Sequence, residues 1–538
     1  MRVALVGLLL AAVGFVPVIS SRAAETAVAP LAHWNQFRGP QGDGISNAHN
    51  LPVEFSETKN VRWKVPVLGV GWSSPVVWKN QVWVTSGIEG GRTLLAICLD
   101  VETGKVVHQV TVFDVTNPGM EWTNQNPHAT PTPWIEEGRI YVHYGSYGTA
   151  CLDTVSGKVL WKRQDLKCNH RVGPASSPIA DDQSLFLQLD GVDVQYVVAL
   201  DKQTGKTRWQ TMRQVTSNLA TRLRNAGLSE EAIRGTVNKK PGDNRKSYAT
   251  PTLVTVAGKQ QLIAPGAEVL FSYDPKTGKE LWRVDLEGWC WNVACRPILA
   301  NGLLYVTAGI AKELRAVRPG GQGNVTETHV AWIRRKGVPN MSSPVITNGL
   351  LFMVSDSGGV VTGMNAGTGN EVWRSRLRPS GDHWASPLLA NGKIYFCSKT
   401  GGVSVIEAGK EYKGIASNRL DASFIASPAV AGDSLILRST THLYCLAKGY
   451  ERTADQVAAD RREAEARMLV NPQSGKRGEV ASPRLKALLD SGTITEEQSE
   501  RLVAFSVRLR GMVEAGKLTR KEALNLWQSL LDDQEKKD

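Results

Sequence analysis

Eight times along the chain a proline preceded by small or hydroxyl residues is followed by a short apolar run: SSPVV (73–77), ATPTP (129–133), SSPIA (176–180), ATPTL (249–253), CRPIL (295–299), SSPVI (342–346), ASPLL (385–389) and ASPAV (426–430). After a turn comes a second run rich in β-branched and aromatic residues, as in LLYVTAG (303–309), LLFMVSD (350–356) and KIYFCSK (393–399). The turns include Asn301-Gly302, Asn348-Gly349 and Asn391-Gly392, and Asn-Gly between apolar runs is the strongest short hairpin signal. A third run then ends in a fixed unit, seen in CLDVETGKVVH (98–108), CLDTVSGKVLW (151–161), ALDKQTGKTRW (199–209), SYDPKTGKELW (272–282) and MNAGTGNEVW (364–373). In that unit Asp or Asn turns the chain, glycine takes the left-handed conformation, and the Trp that follows in most units opens a fourth strand.

Four short antiparallel strands in a unit of about 40–45 residues describe a propeller blade. The chain is therefore expected to be all-β, an eight-bladed β-propeller over residues 34–447. The last unit supplies only three strands, ending at THLYCLA (441–447), while NVRWKVPV (60–67) carries its own Trp63 ahead of the first unit. Closing the ring with this N-terminal strand removes an open edge that would otherwise pair with other chains.

The repeated A-x-D-x-x-T-G-x-x-x-W unit resembles the tryptophan-docking motif of the pyrroloquinoline-quinone (PQQ)-like propellers. WNQFRGPQGDGIS (34–46), GWSSPVVW (71–78) and THVAW (328–332) are similar to a bacterial exported subgroup of that family. The resemblance implies the fold and leaves the chemistry open, because the family holds both quinoprotein dehydrogenases and non-catalytic outer-membrane assembly propellers.

Outside the repeat, MRVALVGLLLAAVGFVPVISSRAAE has an early Arg2, an apolar run and a small-residue cleavage site, so residues 1–23 are expected to be a signal peptide. No later stretch has the ~20 apolar residues of a transmembrane helix. The expected location is periplasmic or extracellular. The net charge is +12, and an insert at 212–246 carries eight Lys or Arg against three acids. Its helical pattern gives either a solvated rim or a dock for an anionic partner. Nothing resembles a nucleic-acid module. Residues 451–538 form a charge-balanced helical extension in which Thr495 and Thr519 cap helices.

Aligning the units on proline shows which residues fringe the central funnel. The residue two before each proline is small, so Cys295 reads as a packed small residue at the crowded axis. One and two steps earlier stand Trp72, His128, Tyr248, Asn340, His383 and Trp384. With Trp289, Trp291 and Arg296 they are the candidate ligand-binding set, and their aromatic rings either line the funnel or pack between blades. Arg296 stands where the other seven units carry Ser or Thr. His128 and His383 belong to blades two and seven and make no metal site; no His-x-x-His or Cys-x-x-Cys spacing occurs. Seven cysteines cannot all pair internally, and Cys290 with Cys295 is the one candidate disulfide.

By family resemblance PQQ and Ca²⁺ are candidate cofactors, needing oxygen ligands and a carboxylate base. The chain has no adjacent cysteine pair and no C-x-x-C-H haem motif, and Trp289-Cys290-Trp291-Asn292 lacks the acid of the family's WxWD-type signature. Asp190, Glu268 and Asp382 are carboxylates that nothing in the sequence assembles. The expectation is an exported, non-catalytic binding or scaffolding propeller with an envelope protein or glycan partner. The alternatives are an atypical PQQ-dependent oxidoreductase and a carbohydrate-binding propeller.

Overall fold

A computed structural model describes residues 33–116, 118, 126–213, 223–225, 227–239, 243–286, 292–458, 460 and 495. The expected signal peptide, most of the C-terminal extension, and Trp289, Cys290 and Trp291 lie outside these residues. Part of the basic insert is described, including the helix Glu230–Lys239.

The described strands form eight sheets, each built on four antiparallel strands, which follow one another in sequence in seven of the eight. Blade 1 begins with Val76–Trp78, blade 2 with Trp134–Glu136, blade 3 with Ile179–Ala180 and blade 4 with Thr252–Val256. Blades 5 to 8 begin with Ile298–Ala300, Val345–Thr347, Leu388–Ala390 and Ala429–Ala431. As expected, Lys59–Pro66 completes blade 8 by pairing antiparallel with His442–Glu451, placing Trp63 opposite Cys445. The apolar clusters lie between neighbouring blades: Trp83 and Val76 of blade 1 with Ile135 and Ile140 of blade 2, and Leu351 of blade 6 with Tyr305 of blade 5. Each blade thus buries its faces on its neighbours, so stability requires a closed ring.

At the axis the hydroxyl before each proline acts as a clasp. The amide of Ser74 donates to Thr132 Oγ1, Thr132 to Ser177 Oγ and Ser177 to Thr250 Oγ1, at 2.9–3.0 Å. Beyond Arg296 the chain of bonds resumes, from Arg296 N to Ser343 Oγ, Ser343 N to Ser386 Oγ, Ser386 N to Ser427 Oγ and Ser427 N back to Ser74 Oγ. Only the step from Thr250 to blade 5 lacks a hydroxyl to receive it, because Arg296 occupies that place. The ring also corrects the register of blade 2: Thr132-Pro133, rather than Thr130-Pro131, is equivalent to Ser74-Pro75, and the strand starts at Trp134.

At the rim, the repeated unit docks one blade on the next. Asp100, Asp153, Asp201 and Asp274 each accept an amide three residues on, and the following glycines sit at φ of +70 to +72°. Those glycines leave room for the preceding blade's indole: a Cβ on Gly104 would come within 2.8 Å of the Trp63 ring, and one on Gly205 within 2.6 Å of Trp161. The indole N–H groups then donate to the neighbouring turn, Trp63 to Val101 O, Trp161 to Lys202 O and Trp209 to Pro275 O, at 2.7–2.9 Å. Opposite each docking residue stands a small one, which is why Cys98, Cys151 and Cys445 share a register. Blade 7 has Ala416 at the Trp position. There Leu51 and Phe55 join the core, and the Phe55 amide donates to Asn418 Oδ1 at 2.8 Å.

Ser386→Ala deletes the acceptor of the buried Ser343 amide and is expected to lower the unfolding free energy by about 1–3 kcal/mol. Exposed Ser357→Ala is expected to stay within about 0.5 kcal/mol of the natural chain. Denaturant titration of both variants checks this.

Candidate functional site

The segment Trp34–Ser46 spans the ring between innermost strands, contacting blades 1, 2, 5, 6 and 7. His33–Trp34 pairs antiparallel with the innermost strand of blade 1, and Ile45–Ser46 pairs parallel with that of blade 7. Between them the chain coils tightly, with Gly39 N donating to Gln36 O, Gly42 N to Gly39 O and Gly44 N to Arg38 O. Gly39, Gly42 and Gly44 all have φ between +70 and +81°, and a Cβ on Gly42 would run into the Arg296 guanidinium. The only residue that fits at Gly42 is one without a side chain.

Arg296 pins this plug. Its Nη1 donates to Phe37 O at 2.6 Å and its Nη2 to Gln36 Oε1 at 2.8 Å. From the plug side, Arg38 Nη2 reaches Asp43 O at 2.6 Å and Pro344 O, on blade 6, at 2.7 Å. Burial pushes the two guanidinium pKa values down to about 9 for Arg296 and about 10 for Arg38, which keeps both charged at neutral pH. Arg438 of blade 8 donates from Nη1 to Ser73 O at 2.9 Å, with its pKa pushed down to about 9 by burial.

The other candidate residues fall into two groups. On the blade 1 to 4 side, Tyr248 is buried and its hydroxyl donates to His170 O at 2.9 Å. His128 is buried and stacked on Tyr147 with centroids 3.7 Å apart, and Trp72 is 8 % exposed, its amide bonded to Ala129 O. In the corrected register His128 stands five residues before its blade's proline, one step earlier than any of the others aligned on proline. On the blade 6 to 7 side, Asp356 gathers two members: its carboxylate accepts the Asn340 amide at 2.8 Å and its carbonyl accepts the His383 amide at 3.0 Å. Lys312 reaches the same carboxylate at 3.1 Å. Trp384 is half-buried beneath the Lys399 ammonium, 3.6 Å from the ring centre. Trp289 and Trp291 lie outside the described residues. Cys295 is a free, buried thiol that contacts Ser342 O at 3.3 Å.

Sequence reasoning missed Asp356, His170 and the partner of Asp190. Asp190 and Arg213 are both fully buried and meet at 3.0 Å, with Gln188 Nε2 3.1 Å from the same carboxylate oxygen. Burial pushes the Asp190 carboxyl up to about 7 against the pull of Arg213. No spacing rule links Asp190 to Arg213, so only the fold brings them together.

A Ca²⁺-bound quinone would need carboxylate or carbonyl oxygens free to face a cation. The axial residues instead present guanidinium groups, with the carbonyls of Phe37, Asp43 and Pro344 already taken by arginine. The axial site therefore does not fit that cofactor. Among the described residues no group of three or more His, Cys, Asp or Glu is placed to hold a metal ion.

The hydroxyl clasp at the axis and the indole dock at the rim define a tryptophan-docked eight-bladed propeller. The chain belongs to the PQQ-repeat family described as outer membrane protein assembly factor BamB, whose model matches residues 53–229 and 236–454. No curated protein matches it. Among solved structures it is similar to a europium-containing methanol dehydrogenase, at 13 % identity and a TM-score of 0.59, over 76 % of this chain and 90 % of that one. It is also similar to the quinohemoprotein alcohol dehydrogenase from Comamonas testosteroni, at 11 % identity and 0.57, over 78 % and 81 %. BamB from Moraxella catarrhalis matches at 13 % identity and 0.48, over 72 % and 99 %. Likeness at these identities reports the fold alone.

Burial holds His128 and His143 at a pKa of about 3, and His170 and His383 at about 4, so the folded chain keeps all four neutral. In the unfolded chain they titrate near 6.5. Their contribution is complete above pH ~6.5 and is lost as pH falls toward 4, while the raised Asp190 opposes it with a single proton. Melting temperature is expected to drop across that window. His143→Gln, which keeps a partner for Thr149, is expected to flatten the slope by about 1.4 kcal/mol per pH unit.

Proposed function

We propose that this chain is an exported, non-catalytic propeller that serves as a binding or scaffolding protein of the cell envelope through its funnel face. The observation that carries this reading is the axial plug: the chain's own Trp34–Ser46 lies at the centre of the ring, and its Phe37 and Asp43 carbonyls accept from the buried Arg296 and Arg38. What is left for a partner is the rim of the funnel on blades 5 to 7. There Met341 is 36 % exposed, Trp384 is half-buried, and the Lys312 and Lys399 ammoniums stand beside Asp356 and the Trp384 ring. A half-buried aromatic beside cations and a flexible Met suits a protein surface with acidic and apolar groups. Export follows from the N-terminal leader pattern, and no described helix is long and apolar enough to cross a membrane.

The competing reading is a PQQ-dependent oxidoreductase. Incubating the purified chain with PQQ and Ca²⁺ and assaying dye reduction with alcohols and sugars is expected to give no substrate-dependent turnover; turnover that vanishes without cofactor overturns the proposal. In parallel, an envelope protein captured by the natural chain is expected to be lost with Trp384→Arg at an unchanged melting temperature. Equal capture by the variant removes the funnel face from the account.

A further inference from the structure

The propeller has a second concave surface, which shares no lining residue with the funnel rim. A cleft of about 640 Å³ lies between the fourth strand of blade 6, Glu371–Arg376, with the loop after it, and the third and fourth strands of blade 7, Gly402–Glu407 and Gly414–Arg419. That volume falls in the range of small-ligand sites, roughly 300–1,000 Å³.

The cleft exists because blade 7 departs from the repeat. At the cross-strand pair next to the docking position, the other seven blades place at least one long or bulky side chain, as in Ile97 opposite Gln109, Phe271 opposite Arg283 and Thr362 opposite Arg374. Blade 7 sets Ser404 against Ser417. On the other side of the docking position Gly414 stands opposite Ile406, where blade 1 has Val106 and blade 6 has Glu371. Space is open there, because a Cβ on Gly414 would have the Tyr412 hydroxyl, 3.7 Å away, as its nearest neighbour.

The lining is cationic and hydroxylated. Among the described residues, Arg376 and Arg378 line the cleft and no carboxylate does, and neither guanidinium forms an ion pair. Glu371, in the same strand as Arg376, is held by Arg334 and Arg374 at 2.6 and 2.8 Å, and Glu407 by Lys413 at 2.6 Å. Arg376 Nη1 donates to Gly358 O at 3.1 Å and keeps its other N–H groups for a ligand. The Ser404 hydroxyl donates to Arg378 O at 2.9 Å, which leaves its lone pairs to accept, and Ser375, Ser380 and Ser417 add further hydroxyls. Tyr412 stands edge-on to the Trp373 indole with centroids 5.6 Å apart, and Leu377 and Ile406 supply an apolar patch. Two guanidinium groups without a counterion select an anion, and their forked N–H groups match a carboxylate. Hydroxyls that both donate and accept match a ring bearing hydroxyls, whose C–H face suits the apolar patch. An acidic peptide would answer the charge and leave the hydroxyls unread.

We propose that the cleft between blades 6 and 7 binds a short acidic saccharide, a chain of hydroxylated rings carrying carboxylates. Arg376 and Arg378 hold a carboxylate, and the serine hydroxyls read the ring. The site goes beyond the funnel-face partner and uses none of its residues.

The full-length chain is titrated calorimetrically, at fixed ionic strength, with a galacturonic acid trimer, with the neutral galactose trimer and with a triglutamate peptide. The acidic trimer is expected to bind saturably, one per chain, and the neutral sugar and the peptide at least about tenfold more weakly. Arg378→Gln is expected to lose about tenfold in affinity for the acidic trimer. Gly414→Val, which restores the blade 1 side chain and removes no donor, is expected to weaken binding by about the same factor without lowering Tm. Failure of the acidic trimer to saturate, equal binding of the neutral sugar or the peptide, or natural affinity in either variant overturns the proposal. If Gly414→Val fails to fold, Arg378→Gln, at an exposed side chain, decides alone.

Discussion

The structure depends on one hydrogen bond repeated at seven of the eight blade junctions, from the amide before a blade's proline to the hydroxyl of the next blade. Each bond joins segments 41–73 residues apart or more, so none is stable until both neighbouring blades are in place. Together they tie neighbouring blades at the axis, as the indole docks tie them at the rim. Because the apolar clusters sit between blades, a blade alone has no core of its own. Closure by Lys59–Pro66 is therefore the condition for the whole fold, and the N-terminal segment Trp34–Ser46 is held by the same ring, through blades 1 and 7.

Blade 5 shows how a repeat is modified for a purpose. Replacing a clasp hydroxyl by Arg296 breaks one link between blades 4 and 5. The longer side chain recovers the loss by reaching across the axis to Gln36 and Phe37, more than 250 residues earlier in the chain. The glycines at 39, 42 and 44 make that reach fit, each leaving open a volume that a neighbouring Trp or Arg side chain fills. Sequence, local conformation and packing agree here: a segment rich in Gly and Pro coils tightly enough to sit inside the ring.

The fold was legible because its two determinants recur in sequence, the hydroxyl-proline pair at the axis and the Asp-to-Trp unit at the rim. The register failed once, in blade 2, where Thr130-Pro131-Thr132-Pro133 offers two equivalent readings and only the hydrogen bond to Ser177 separates them. Arg296 stood out as a departure from the pattern, but its role did not, because its partners are remote in sequence. The candidate funnel aromatics were harder still. Tyr248 and Trp384 occupy equivalent types of position, yet one is buried against His170 and the other lies half-exposed under Lys399, a difference set by loops rather than by the repeat. The ion pairs Asp190–Arg213 and Lys312–Asp356 come from different segments and carry no spacing signal.

The central claim is that Trp34–Ser46 is an integral part of the ring. Amide hydrogen exchange of the native chain tests it most directly, through the amides of Gly39, Gly42, Gly44 and Leu389, the last of which donates to Gly44 O at 2.8 Å. The account predicts protection equal to that of the buried strand Lys393–Cys397, released only with global unfolding. Exchange of those amides at the rate of the exposed turn around Ser357, while the strand stays protected, would contradict it.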